Sequence, residues 1–118
     1  MNHEEKKVAK IVEELTMFFF TLGADHLSSS IEKIESGAKI TFRANYLPEY
    51  EHGIHSLEKA LDEPKNEGME DIYWELAGSG DPGESSQLLL LGMMIDRHEV
   101  RKSGNEVELV LYRDAIWQ

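Results

Sequence analysis

The feature that most constrains the fold is the last third of the chain, where an apolar helical run feeds directly into a β-hairpin. Leu88-Leu89-Leu90-Leu91-Gly92-Met93-Met94-Ile95 leads into residues 97–113, which end on the alternating stretch Glu106-Val107-Glu108-Leu109-Val110-Leu111-Tyr112. A strand that alternates apolar and polar residues buries one face and leaves the other to water. Its core face therefore needs a cover, and the preceding apolar segment supplies one. The same order, helix then strand then strand, recurs near the N-terminus, and this repetition sets the architecture.

Residues 4–22 carry that first helix. Val8, Ile11, Val12, Leu15, Phe18, Phe19 and Leu22 recur at three- and four-residue steps and form one apolar stripe. Glu4 and Glu5 suit the positive end of the helix dipole, and Gly23 stands where a helix stops. Three consecutive phenylalanines, Phe18 to Phe20, exceed what one stripe needs, so Phe20 is expected to face a second layer or a partner. A hairpin follows over residues 27–35 and 38–46, turning at Ser36-Gly37. Ala38, Ile40, Phe42, Ala44 and Tyr46 fall on one face of its second strand, and the serine-rich first strand reads as a sheet edge. A helix is expected over 48–62, with Tyr50, Ile54, Leu57, Ala60 and Leu61 inward, then a short helix over 69–76. The glycine-rich stretch 78–83 leads to the apolar helix from 84 to about 95, and the final hairpin turns at Ser103-Gly104-Asn105.

The order α-β-β-α-α-α-β-β predicts an α/β two-layer sandwich: a four-stranded, mostly antiparallel sheet with helices on one face. At 118 residues the chain forms one domain, 1–118, with room for a single core. Twelve basic against twenty-three acidic residues give a net charge of −11, which repels nucleic-acid phosphates and anionic lipid surfaces. The absence of cysteine excludes disulfides and thiolate chemistry and fits a reducing compartment. No apolar leader opens the chain, and its longest apolar run, eight residues at 88–95, falls short of the ~20 that span a bilayer. A cytoplasmic protein without a membrane anchor is expected.

The element order and the closing segment resemble the histidine-kinase-type ATPase (GHKL) superfamily, in particular its anti-sigma-factor serine-kinase branch. The residues carrying the resemblance are Leu88-Leu89-Leu90-Leu91, Met94-Ile95-Asp96 and Asn105-Glu106-Val107-Glu108-Leu109-Val110, together with Glu13-Glu14-Leu15-Thr16 on the first helix. The resemblance implies ATP and magnesium as ligands and a regulatory protein as partner. The chain departs from the family pattern at each nucleotide-contacting position. Phe18 stands four residues after Glu14, and Met17 four after Glu13, where the family's metal-binding Asn belongs, and neither an aromatic ring nor a thioether can replace an oxygen ligand for magnesium. Ala44-Asn45-Tyr46-Leu47-Pro48 replaces the adenine-reading Asp-x-Gly-x-Gly, and Ser85-Ser86-Gln87 replaces the phosphate-contacting Gly-x-Gly. Glu14, Phe18, Asn45 and Gln87 thus mark a degenerate nucleotide site, and no cofactor is expected.

Other constellations are weaker. His52 and His55, with Glu51 and Glu58 on the same helix, have the spacing of an imidazole–carboxylate metal site, and equally that of solvated histidines on an acidic helix. Asp25, His26 and Ser28 to Ser30 supply the residue types of a hydrolase triad without its surrounding turn. Asp81 and Glu84 read as first-turn residues of the helix behind the glycine-rich loop, rather than as an anion site. Phe20, Trp74, Met93, Ile116 and Trp117 are large apolar residues beyond the needs of one small core and are candidate interface residues. The expectation is a non-enzymatic regulatory or interaction domain whose partner is another protein or a second copy. The alternatives are an ATP-binding kinase-like domain with diverged motifs, or a metal-binding protein using His52 and His55.

Overall fold

A computed structural model of the chain describes residues 3–63, 84–115 and 117. In chain order its elements are α1 (His3–Thr21), β1 (Leu27–Ile34), β2 (Gly37–Asn45), a 3₁₀ turn (Pro48–Tyr50), α2 (Glu51–Asp62), α3 (Glu84–Met94), β3 (Arg97–Ser103) and β4 (Glu106–Asp114). The strands form one fully antiparallel sheet in the order β1-β2-β4-β3, so β2 and β4 lie at the centre and β1 and β3 at the edges. The two-layer α/β architecture expected from the element order is present. The short helix expected over 69–76 and the loop 78–83 lie outside the described residues.

Register explains why one face of the sheet is apolar. Directly opposed residues of an antiparallel pair share a face. Ile40 lies opposite Leu111, Phe42 opposite Leu109 and Ala44 opposite Val107, and all six are buried. The helices cover that face. On α1, Val8, Ile11, Leu15 and Phe19 point inward, and Phe19 stacks on Phe42 with ring centroids 5.5 Å apart. On α2, Ile54, Leu57, Ala60 and Leu61 are buried, while Tyr50, placed by the sequence on that apolar side, is half-buried in the 3₁₀ turn that precedes α2. Leu90, Leu91 and Met94 of α3 are fully buried, which fits a run that is apolar on nearly every side.

Two glycines fix how these pieces meet. Gly23 has φ +81° and ends α1 in the left-handed conformation that a side chain disfavours. Gly92 has a different function: a Cβ there would lie 2.2 Å from the Ala60 carbonyl oxygen, so α2 and α3 cross with backbone against backbone. In sequence Gly92 looks like a mere interruption of the apolar run.

One charged group penetrates the core edge. Arg113 lies on the helix-facing side of β4 and is buried. Its Nε donates to Glu4 Oε2 at 2.8 Å, its Nη2 to Glu4 Oε1 at 3.2 Å, and its Nη1 to the Met94 carbonyl at 3.0 Å. A forked guanidinium–carboxylate contact of this kind ties the start of α1 and the end of α3 to the same strand.

The α2–α3 crossing yields the first test. Gly92→Ala is expected to destabilise the protein by about 1–3 kcal/mol, because the clash is with backbone rather than a flexible side chain. A thermal melt should show a loss of several degrees in Tm; an unchanged Tm would mean the crossing is looser than described.

Candidate functional site

Of the residues that the resemblance assigns to a nucleotide site, Glu14 and Phe18 sit on α1 and Asn45 at the end of β2. Phe18 is half-buried and packs edge-on against Phe19, with centroids 5.6 Å apart and planes at 83°. Phe19 in turn stacks on Phe42, so Phe18 belongs to an aromatic cluster continuous with the core. Glu14 is buried and pairs with Lys10 at 2.8 Å along α1. The pairing raises the Lys10 pKa, chiefly through the hydrogen bond from the ammonium to Glu14.

Asn45 has a structural role that its position at the strand end explains. Its Oδ1 accepts from the backbone N–H of Asp25 and of His26, both at 3.0 Å, and its Nδ2 donates to Asp25 Oδ1 at 2.6 Å. That amide fastens the α1–β1 connection to β2, and the bond to Asn45 is the main cause that lowers the exposed Asp25 carboxyl's pKa. Gln87 has no described side chain. At the positions the resemblance assigns to nucleotide contacts, Phe18 presents a ring rather than an oxygen, and the Asn45 amide is committed to Asp25 and His26.

Tyr46, beside Asn45, is fully buried, and its hydroxyl donates to Glu51 at the start of α2. Lys102 of β3 donates to the same carboxylate. This three-residue link joins β2, α2 and the far hairpin. Glu51 is thereby held below the usual carboxylate range, first by the Lys102 hydrogen bond and then by Tyr46. Burial first, and then the bond to Glu51, push the Tyr46 phenol up.

That commitment of Glu51 bears on the histidines of α2. His52 and His55 are both exposed, and Glu51, the carboxylate one turn from His55, is engaged by Tyr46 and Lys102. Among the described residues no group of three or more His, Asp or Glu side chains is placed to hold a metal ion. Asp25 and His26 are also highly exposed, 3.7 Å apart, and the Asp25 carboxylate serves Asn45; no enclosed triad forms.

Polar side chains do converge on the sheet face opposite the described helices. A concavity of about 510 Å³ at one end of that face is lined by His26, Ser28, Arg43, Asn45, Arg101 and Glu108 among others. Its charges satisfy one another: Arg43 Nε donates to Glu108 Oε2 at 2.6 Å, and Arg101 approaches Glu108 Oε1 at 3.9 Å. Across the face, register sets Lys39, Arg43, Arg97 and Arg101 among Glu32, Glu99, Glu106, Glu108 and Asp114. Four cations against five anions is nearly balanced, unlike the chain as a whole. This is a solvated face of cross-strand ion pairs.

The candidate interface residues divide. Phe20 is 55% exposed, and Met17, one turn earlier on α1, is 57% exposed. Leu47, 43% exposed, donates its N–H to the Leu22 carbonyl at the same end of α1, while Ile31 on β1 is 50% exposed. Trp117 belongs to the fold itself: its Nε1 donates to the Gly37 carbonyl at 2.8 Å, and Lys33 Nζ lies 4.6 Å from its ring. Met93 is half-buried, and Trp74 and Ile116 lie outside the described residues. Met17, Ile31 and Leu47 were not singled out by the sequence; only strand register and helix packing expose them.

No family model, curated protein or solved structure matches the chain.

Two measurements follow from the geometry. The Glu51 carboxyl has a folded pKa below its ordinary 4.5, so its contribution is fully present above that value and is lost as pH falls through the lower folded one. Glu51→Gln should therefore lower Tm at pH 7, and the gap to wild type should shrink as the pH is lowered below the ordinary carboxylate range; a gap independent of pH would assign the effect to shape alone. On α2, zinc titrated calorimetrically should give no micromolar site, and a micromolar isotherm abolished by His55→Ala would overturn that expectation.

Proposed function

We propose that the protein is a non-enzymatic regulatory or interaction domain, built on a degenerate histidine-kinase-type ATPase fold, that acts through protein–protein contact. The observation that carries this reading is Phe18. The position where the resemblance puts a metal-binding Asn holds an aromatic ring packed into the Phe19–Phe42 cluster. Restoring an oxygen ligand there would mean dismantling part of the core. Asn45 adds support, since its amide is used to hold Asp25 and His26.

The contact half of the reading draws on the exposed apolar side chains Met17, Phe20 and Leu47 at the C-terminal end of α1, and Ile31 on β1. Large apolar groups gathered at one end of an otherwise charged helix suit a protein partner. A net charge of −11 directs that partner away from nucleic acid and anionic membranes. No helix among the described residues is long and apolar enough to cross a membrane. A chain without cysteine suits the reducing cytoplasm.

Nucleotide binding is the reading to exclude, and it has a direct test. A ligand that binds only the native state raises Tm. Millimolar ATP with magnesium should leave the melting temperature unchanged; a rise of several degrees would restore the protein to the nucleotide-binding class.

A further inference from the structure

The two edges of the sheet are built differently. Edge strands expose unpaired backbone groups, and proteins blunt them with charges, prolines or bulges. β3, Arg97-His98-Glu99-Val100-Arg101-Lys102-Ser103, is blunted by charge along its length. β1, Leu27-Ser28-Ser29-Ser30-Ile31-Glu32-Lys33-Ile34, has no proline and pairs with β2 in unbroken register over eight residues. Its first five residues are uncharged, and at its middle Ile31 is half exposed on the face that elsewhere packs against helices.

The ladder fixes which backbone groups of β1 are free. Asn45 N–H donates to the His26 carbonyl at 3.1 Å. Because antiparallel bonding alternates, the even-numbered residues of β1 bond inward to β2. Leu27, Ser29, Ile31 and Lys33 therefore turn their N–H and C=O groups outward.

We infer that β1 pairs antiparallel with β1 of a second copy about a two-fold axis at Ile31, joining the two sheets into one of eight strands. This rests on the protein-contact reading above and names its partner. A two-fold axis perpendicular to the sheet keeps both helical layers on the same side, and it places each residue opposite one of equal parity. Centred at Ile31, it sets Ile31 against Ile31, Ser29 against Lys33, and Ser30 against Glu32. No like charges then stand directly opposite, and the exposed isoleucine is covered by its own copy. An axis at Glu32 or Lys33 would oppose identical charges, which destabilises a strand pair. An axis at Ser30 would form the same outward ladder but leave Ile31 facing Ser29 rather than a second isoleucine.

The α1 flank lies beside this seam. Lys33 Nζ donates to Glu5 Oε2 at 2.7 Å, which ties the start of α1 to β1. One strand edge with its flanks is a small interface, so the dimer is weak, roughly micromolar or weaker. Two chains of −11 repel, and added salt should tighten the pairing.

Sedimentation equilibrium across concentration should show a 13.5 kDa species passing to twice that mass, with a lower dissociation constant in 0.5 M salt than in 0.05 M. Ser29→Pro removes an outward N–H without touching the β1–β2 ladder, and Ile31→Lys sets two cations opposite each other. Both should remain monomeric, with Tm values that report an intact fold. Because the chain has no cysteine, Ile31→Cys should crosslink to itself under mild oxidation far faster than Glu32→Cys. A wild-type monomer at every concentration in high salt overturns the pairing and leaves the contact surface to a different protein. Equal crosslinking at both positions overturns the register. A nucleotide-dependent melt would instead strike the reading on which the inference rests.

Discussion

Everything in this fold depends on covering one face of β2 and β4. Ala38, Ile40, Phe42 and Ala44 on one strand, with Val107, Leu109 and Leu111 on its neighbour, form a continuous apolar surface that water would penalise. Phe19 stacked on Phe42 anchors α1 to that surface, and α2 and α3 close it by crossing where Gly92 lets their backbones meet. Chain segments distant in sequence are thereby drawn together. The forked bond from Arg113 to Glu4 connects residues near opposite ends of the chain, and Tyr46, Glu51 and Lys102 do the same at the other end of the sheet.

That requirement also shapes where polar and aromatic side chains sit. A nucleotide site of the kind the closing residues resemble needs oxygen ligands and bare backbone near the helix–sheet seam. Phe18 here extends the aromatic cluster into that seam, and Asn45 serves as a clamp on the α1–β1 connection. On the sheet face opposite the described helices, Arg43, Arg101 and Glu108 neutralise one another. A face whose charges are paired within itself exerts little pull on a ligand. Among the described residues, Ile31 on β1 and Met17 and Phe20 near the end of α1 are large apolar side chains left in water.

Much of this was legible in the chain. The three- and four-residue spacing of Val8, Ile11, Leu15 and Phe19 gave α1, and the alternation from Ala38 to Ala44 gave β2 and its buried face. The serines of β1 marked an edge, and Phe20 was surplus to one stripe. The candidate site was less legible. Phe18 and Asn45 could be recognised as departures from a pattern, but not as members of a cluster and a clamp. The sequence offered Trp117 equally as core or as interface, and its bond to the Gly37 carbonyl was not legible because Gly37 lies eighty residues away in sequence.

The sequence by itself determined the elements, their order and the inward face of each, because periodicity is a local property of the chain. It also excluded thiolate chemistry and set the charge. Only the tertiary structure decided the strand order β1-β2-β4-β3, with β3 as the second edge, and which carboxylates found partners. It also decided that Gly92 is a packing requirement rather than a gap. These are relations between distant segments, fixed by how the apolar faces fit once they meet, and no window of the chain contains both sides of such a contact.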